Sequence, residues 1–205
     1  MQPGSELLAS YIIYNGVPFI YTADWFRYAI YNDPSWDPTT QTVQDAANAA
    51  SINPFNIETW EGDLSPFAKR GGKLLTYHGL EDGLISSDNS ARYYNHVSST
   101  MSLPSSDLDD FYRYFRISSL GHCSGGNGAV NFGQLSASVS GYEERNNVVL
   151  QMVAWVEDGR APESVLGAKI VNGEVVGERK HCKYPKRNVY RGPGGYDDVS
   201  AWECI

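Results

Sequence analysis

The sequence predicts an α/β fold, in which strands and helices alternate along the chain. Residues 72–79 form a short apolar run bounded by glycines, which is typical of a buried strand. Residues 111–117 alternate large apolar and charged side chains, which is typical of a second strand. A helix is predicted after each strand, over residues 86–100 and 142–159. This order of strand, helix, strand and helix indicates part of an α/β sheet.

The first 62 residues are predicted to contain short elements only. Residues 25–31 combine aromatic, basic and apolar side chains in a pattern that predicts an amphipathic helix, which ends at residues 32–34 (NDP). Residues 42–51 are rich in alanine and predict a second helix. This helix should end at residues 53–54 (NP), because a residue before proline disfavours helical geometry.

The two long helices should each turn one apolar face to the core. For the first helix, which Ser86 or Ser87 can cap, that face contains Tyr93, Tyr94 and Val97. The second helix should end at Gly159, since glycine is the usual residue at a helix carboxyl end. Its predicted apolar face consists of Tyr142, Val149, Leu150, Val153 and Val156.

A β-hairpin is predicted near the carboxyl end of the chain. Residues 168–171 and 174–180 are strand-like and flank residues 172–173 (NG), a dipeptide that favours a two-residue turn. Residues 185–203 are rich in glycine and proline and are predicted to form an irregular tail. Cys182 and Cys204 bracket this tail, and a disulfide between them would stabilise a segment with little core of its own.

Composition excludes several classes of protein. Hydrophobic residues make up 41% and charged residues 20% of the 205 positions, which is typical of a folded globular chain. The net charge of −8 makes nucleic acid and anionic membranes poor partners. No apolar run approaches the ~18 residues of a membrane span. The expected disulfide indicates an oxidising compartment, yet residues 1–6 do not begin a signal peptide, so we expect the chain to be part of a larger protein.

Two loops carry the candidate catalytic residues. Asp82 follows the first predicted strand, and His122 follows the second. If the two strands are neighbours, the carboxylate and the imidazole lie side by side, as the acid and base of a hydrolase triad do. The carboxylate would fix the imidazole tautomer, and the second ring nitrogen could take a proton from a serine. The sequence contains no Gly-x-Ser-x-Gly motif, so only two thirds of a triad are present.

Neighbouring side chains allow other interpretations of this region. Glu81 could replace Asp82 as the acid. His78 is predicted to be structural, and a supporting role behind the catalytic pair is its functional alternative. His96 and His181 are predicted to lie on the surface or in the tail. The four histidines lack the spacing of a metal site, and no metal is expected.

The chain has three cysteines, so one of them has no partner for a disulfide within the chain. Pairing Cys182 with Cys204 leaves Cys123, directly after His122. Cys123 is then either a free thiol or a cysteine that pairs with another polypeptide.

Several segments resemble the tannase and feruloyl esterase family of fungi and bacteria. They are residues 71–75 (GGKLL), 77–85 (YHGLEDGLI), 120–126 (LGHCSGG) and 155–162 (WVEDGRAP). The resemblance covers nearly the whole chain and includes the two tail cysteines. It implies an α/β-hydrolase fold with a large inserted lid, secretion, and activity on phenolic acid esters such as feruloyl, other hydroxycinnamoyl or galloyl esters.

The resemblance also implies roles for single residues. It assigns Asp82 as the triad acid and His122 as the base. It further implies that Cys123 forms a disulfide with a cysteine outside this chain, directly before the nucleophilic serine.

The family's amino-terminal half has no counterpart in this sequence. That half carries the Cys-Ser nucleophile, the oxyanion-hole residues and a calcium-binding lid loop. We therefore expect residues 1–62 to be a lid remnant and connecting segment, and residues 63–205 to be the carboxy-terminal part of the catalytic domain. No cofactor is expected in this chain. The expected partners are a phenolic ester and the amino-terminal half of the enzyme.

Two hypotheses stay open at this point. The chain is the carboxy-terminal half of a secreted serine esterase and is inactive alone, or it is a non-catalytic remnant or interaction module. In the first case, either proteolysis has separated it from a partner held through Cys123, or the gene is truncated.

Overall fold

The structure is a computed structural model that describes residues 5–196 and 198–205. The chain forms two compact units. One consists of residues 9–61, and the other consists of residues 62–205 together with residues 5–8. The assignment of residues 1–62 to a lid stays a prediction.

The smaller unit is helical. Its elements are the second half of α1 (Ser5–Ile12), then α2 (Ile20–Asp24), a π-helical turn (Trp25–Ile30) and α3 (Val43–Ile52), with 3-10 turns at Pro38–Thr40 and Pro54–Asn56. Both predicted helices are confirmed, although the first is wound more widely than an α-helix. Thr42 begins α3 as sequence reasoning predicts, since its hydroxyl accepts the N–H of Asp45 and the Asp45 carboxylate bonds back to Thr42.

The larger unit contains the predicted sheet. Its helices are α4 (Ser65–Lys69), α5 (Ser87–Met101), α6 (Ser105–Leu108) and α7 (Val148–Asp158). Its strands are β1 (Leu74–Gly79), β2 (Tyr112–Ile117), β3 (Ser164–Val171), β4 (Glu174–Cys182), β5 (Asn188–Tyr190) and β6 (Trp202–Cys204). Short 3-10 turns lie at Ser136–Ser138, Glu144–Asn146 and Val199–Ala201.

β1 and β2 pair in parallel, with Leu74 opposite Tyr112 and Gly79 opposite Ile117. The two strands are therefore neighbours, which is the condition on which the expected contact between Asp82 and His122 depends. In the part of the chain that the structure describes, β1 pairs with no other strand, so its second edge is open. The first five residues of β1 are consequently half-buried, whereas the sequence predicted a buried strand.

Alternate residues of β2 point to opposite faces of the sheet, and each face has its own apolar cluster. One cluster is formed by Tyr112 and Tyr114 with Tyr94, Val97, Leu108 and Phe111. The other is formed by Phe115 and Ile117 with Leu120, Val130, Phe132, Val148 and Val165. In the first cluster, α5 packs against the sheet through Tyr94 and Val97. The predicted apolar face of α5 is therefore confirmed. The strands are fixed from both sides, which positions the loops at their carboxyl ends.

The predicted helix over residues 142–159 begins later than expected. α7 starts after Asn147, whose side-chain oxygen accepts the N–H groups of Val149 and Leu150. The predicted apolar face is wrong. The residues that are buried are Val148, Gln151, Ala154 and Trp155, while Tyr142, Val149, Val153 and Val156 are exposed. The helix ends at Gly159 as predicted.

The carboxyl-terminal segment is more ordered than its composition suggests. β3 and β4 form the predicted hairpin, and their turn lies at residues 172–173. The predicted irregular tail instead contains β5 and β6, which pair antiparallel. Cys182 and Cys204 form the predicted disulfide. Among residues 5–196 and 198–205, no helix combines the length and apolar character needed to cross a membrane.

Candidate active site

The carboxyl ends of β1 and β2 bring Asp82 and His122 together. Parallel neighbouring strands end at the same edge of a sheet, so the loops that follow them start side by side. The Nδ1 atom of His122 lies 2.9 Å from Oδ2 of Asp82. This separation is that of a hydrogen bond, and it is the contact that the strand pairing predicts.

A close backbone contact holds the two loops together. Gly79 ends β1, and a Cβ atom at this position would lie 2.3 Å from the carbonyl oxygens of both Leu120 and Gly121. Backbone atoms cannot give way as a flexible side chain can, so the loop that carries His122 fits here only because residue 79 has no side chain. The N–H of Glu81 donates to the carbonyl of Leu120 and continues the pairing beyond the strands.

Asp82 is buried and held in one orientation. Its Oδ1 atom accepts the backbone N–H groups of Leu84, at 2.8 Å, and Ile85, at 3.0 Å. Burial alone would raise the pKa of Asp82. The N–H of Ile85, the side chain of His122 and the N–H of Leu84 together favour the charged form more strongly, and the pKa of Asp82 lies below its ordinary value. The carboxylate is therefore ionised at neutral pH.

The ionised carboxylate determines the tautomer of His122. A carboxylate without a proton can only accept a hydrogen bond, so Nδ1 of His122 carries the hydrogen. In the neutral ring, Nε2 is then unprotonated. The His122 side chain is 42% exposed, in contrast with 5% for Asp82. Nε2 of His122 is therefore an accessible proton acceptor, and the buried carboxylate of Asp82 holds the ring in its orientation through Nδ1.

His78 is a second imidazole in contact with the same carboxylate. Its Nε2 atom is 3.2 Å from Oδ2 of Asp82 and 3.3 Å from the carbonyl oxygen of Ile85. Both neighbours are acceptors, so Nε2 carries the hydrogen. Nδ1 lies 2.7 Å from the Ser90 hydroxyl on α5 and accepts its hydrogen in the neutral ring. His78 thus links Asp82 to α5.

A shallow cavity of about 160 Å³ opens beside these residues. Apolar side chains of Tyr77, Ile85 and Leu120 line it together with His122 and Cys123. Cys123 is exposed, has a positive φ of 65°, and forms no disulfide with either of the other two cysteines of the chain. A non-glycine residue at positive φ is uncommon, so the sharp turn here is imposed by the loop rather than by residue preference.

The other predictions for polar residues have mixed outcomes. Asp82, and not Glu81, contacts His122. His181 is wrongly predicted as a surface or tail residue, because it is buried on β4 and its Nε2 atom donates to the carbonyl of Ala129. His96 is half-buried. Within the described residues, no three His, Cys, Asp or Glu side chains lie close enough to hold a metal ion.

Sequence reasoning missed the backbone donors to Asp82 and the role of Ser90. The first had a recognisable signal, since an aspartate that accepts N–H groups two and three residues ahead is a common turn motif. The second had none, because the contact joins a strand to a helix and depends on how the two pack.

Comparison with known proteins extends these observations. Residues 8–205 match the family described as tannase and feruloyl esterase. The chain is 58% identical to a probable feruloyl esterase B-2 of Aspergillus terreus, and the match covers all of this chain but 40% of that protein. The chain thus spans about two fifths of the length of the curated relatives that it matches.

Solved structures give the same result. The crystal structure of feruloyl esterase B from Aspergillus oryzae matches the whole chain with a TM-score of 0.97 and 54% identity, over 41% of its own length. Tannin acyl hydrolase from Aspergillus niger matches 92% of the chain with a TM-score of 0.66 at 20% identity, which shows the fold alone. The mixed α/β architecture with small sheets is therefore part of an α/β-hydrolase type of fold, and the chain belongs to the tannase and feruloyl esterase family.

Proposed function

We propose that this chain supplies the acid and the base of a serine-type carboxylic ester hydrolase that acts on phenolic acid esters. The observation that carries the proposal is the 2.9 Å contact between Nδ1 of His122 and the buried carboxylate of Asp82. Membership of a family of tannases and feruloyl esterases supports the substrate class, a feruloyl, other hydroxycinnamoyl or galloyl ester.

In the proposed reaction, Nε2 of His122 removes the proton of a serine hydroxyl while the serine oxygen bonds to the ester carbonyl carbon. The imidazolium that forms is stabilised by Asp82. It then gives the proton to the leaving alcohol as the carbon–oxygen bond of the ester breaks. In the second half, His122 takes a proton from water, which attacks the acyl-serine. The resulting imidazolium returns a proton to the serine oxygen as it leaves, and the free phenolic acid is released.

We place the nucleophilic serine in a part of the protein outside this chain. Two observations support a larger assembly: the chain spans 40% of a relative with 58% identity, and the second edge of β1 has no strand partner in the described residues. Cys123, exposed and adjacent to His122, is the proposed disulfide partner of a cysteine next to that serine. The Cys182–Cys204 disulfide supports secretion into an oxidising compartment.

A hybrid enzyme tests the catalytic roles. In the hybrid, this chain replaces the matching 41% of feruloyl esterase B from Aspergillus oryzae, and hydrolysis of methyl ferulate and methyl gallate is measured. His122→Ala and Asp82→Asn should each lower kcat by roughly 10³-fold or more. The matched control, Glu81→Gln, should leave kcat within about twofold. The 205-residue chain alone should show no turnover with either ester.

Two results would overturn the proposal. One is a His122→Ala hybrid that is folded, by its urea midpoint, and still turns over at the unmodified rate. The other is serine-type turnover by the isolated chain.

The intact mass of native material, with and without reductant, tests the proposed partner. Release of a second polypeptide with a Cys-Ser sequence by reductant supports the esterase assembly. A single chain with a free Cys123 thiol supports the alternative, a non-catalytic remnant that acts as an interaction module.

A further inference from the structure

A second cavity, with a volume of about 220 Å³, lies at the same edge of the sheet as Asp82 and His122. We call it the basic cavity. Four cationic side chains line it, those of Arg116, Lys180, Lys186 and Arg187. Leu80 and Ser118, which directly follow β1 and β2, line its inner side, and no aspartate or glutamate contributes to its lining. The cavity therefore concentrates positive charge near the carboxyl ends of β1 and β2.

This concentration is unusual for the chain in which it occurs. Acidic residues outnumber basic residues by 24 to 16, so carboxylates are available as partners for cations. Six basic side chains outside the cavity form ion pairs with them, for example Arg145 with Glu143 and Arg191 with Glu203. In the described part of the chain, none of the four cations of the basic cavity makes an ion pair with a carboxylate.

Like charges held close together repel one another, and the repulsion is relieved when an anion binds between them. The four cations together offer ammonium and guanidinium donors from several directions, and Ser118 adds a hydroxyl. This donor set matches the oxygen atoms of a carboxylate or a phosphate, which accept such charge-assisted bonds.

The walls of the basic cavity are fixed by contacts that do not depend on a ligand. The Arg116 guanidinium packs over the Tyr184 ring, 4.9 Å from its centroid. The Asn188 side chain donates to the carbonyl of Lys180. The backbone of Arg187 exchanges two hydrogen bonds with that of Ile205, and the Cys182–Cys204 disulfide ties β4 to β6 beside them. A pre-formed site loses little entropy on binding.

We propose that the basic cavity binds an oxyanion group, a carboxylate or a phosphate, carried by a small molecule. The site is separate from the cavity that contains His122, and the proposal does not depend on the esterase chemistry. Binding should weaken as ionic strength rises, because the interaction between exposed charges is screened by salt.

Titration calorimetry on the full 205-residue chain tests the proposal with three probes. Trigalacturonate carries carboxylates, inorganic phosphate carries the alternative oxyanion, and maltotriose is a neutral control. We expect one or both anions to bind and maltotriose not to bind. The double variant Lys186→Gln/Arg187→Gln should bind the anion at least about tenfold more weakly. The matched control, Arg145→Gln/Arg191→Gln, removes the same charge from exposed positions outside the cavity and should bind as the unmodified chain does.

The two anion probes distinguish the source of the oxyanion, since a carboxylate site prefers trigalacturonate and a phosphate site prefers phosphate. The proposal is wrong if neither anion binds, if maltotriose binds as well as the anions, or if both double variants weaken binding equally. The last result would show that only the net charge of the chain matters. All four substituted side chains are exposed, and far-UV circular dichroism checks that each variant is folded.

Discussion

The carboxylate of Asp82 receives four hydrogen bonds, two from backbone N–H groups of its own loop and two from imidazole rings. The backbone bonds hold Oδ1, and the rings of His78 and His122 share Oδ2. An anion with this many donors is oriented before a substrate arrives, which is what an electrostatic partner of a general base requires. His78 is the least expected of the four, because its position at the end of a strand predicts a structural role equally well.

His78 is predicted to be a positioning residue, which acts through Asp82. In the hybrid enzyme, His78→Leu removes one donor to Oδ2 and should lower kcat about tenfold with little change in KM. His78→Gln keeps an N–H donor and should recover most of the lost rate. A purely structural residue would behave differently: both variants would lower the urea midpoint, and kcat of the folded enzyme would not distinguish them.

The pair of Asp82 and His122 could be predicted from sequence because each residue directly follows a strand with a clear pattern. The burial of His181, which lies within β4, could not be predicted. Its strand alternates weakly, with charged neighbours Lys180 and Arg179, so the pattern indicates a surface. The structure buries the ring and brings the carbonyl of Ala129, 52 residues earlier in the chain, to 2.8 Å from Nε2. Long-range contacts of this kind leave no local signal.

His181 should make stability depend on pH. Burial lowers the pKa of His181 from 6.5 to about 4 in the folded chain. Above pH 6.5 the ring is neutral in both the folded and the unfolded chain, and the stability that its burial contributes is fully present. As the pH falls from 6.5 to about 4, the unfolded chain takes up a proton that the folded chain does not. The free energy of unfolding should therefore decrease by up to about 3 kcal/mol over this range.

Urea unfolding of the chain between pH 7 and pH 4 measures this dependence. His181→Gln keeps an N–H donor for the Ala129 carbonyl but does not titrate, and it should lose less stability on acidification. Equal losses in the two proteins would show that other groups dominate the dependence on pH.

At the scale of elements, α7 shows what a hydrophobic pattern can and cannot determine. The pattern correctly predicted a helix and its end at Gly159. It could not choose the buried face, because apolar residues occupy both sides of the helix. Packing against the rest of the unit buries the face that contains Val148 and Trp155. The three valines of the opposite face, Val149, Val153 and Val156, are between 42% and 59% exposed.

This valine face is proposed to pack against the remaining part of the protein, since the chain spans only 40% of its relative. Val153→Glu should change the free energy of unfolding of the isolated chain by less than about 0.5 kcal/mol, because the position faces solvent there. In the hybrid, the same substitution would bury a charge and should lower the free energy of unfolding by more than about 2 kcal/mol. Val153→Thr, similar in shape and uncharged, is the control. Equal effects of Val153→Glu in the chain and in the hybrid would contradict this interface.

At the scale of the whole molecule, the division between predicted and unpredicted structure follows the length and clarity of the local sequence pattern. The parallel pair β1–β2 is flanked by long helices with clear patterns and was predicted. β5 and β6 have three residues each and pair only with one another in the described residues. Glycine and proline between them indicate loop, and nothing local shows that residues 188–190 meet residues 202–204. Only the two cysteines signalled that this segment is folded back.

The last segment should therefore depend on the Cys182–Cys204 disulfide more than on its own core. The bond joins residues 22 positions apart and restricts the unfolded chain, which corresponds to about 3 kcal/mol in the loop-entropy description. It also keeps Trp202 against Arg179, whose guanidinium carbon lies 3.8 Å from the ring centroid. Cys204→Ser should lower the free energy of unfolding of the chain by about this amount.

A reductant provides the control for this prediction. It should lower the urea midpoint of the unmodified chain to that of Cys204→Ser and leave the variant unchanged, because the variant has no disulfide to break. Cys123→Ser should not alter the midpoint of the isolated chain, since Cys123 forms no bond within it. If Cys204→Ser were as stable as the unmodified chain, the short β5–β6 pairing and its aromatic contacts would be sufficient to hold the segment, and the disulfide would be dispensable for the fold.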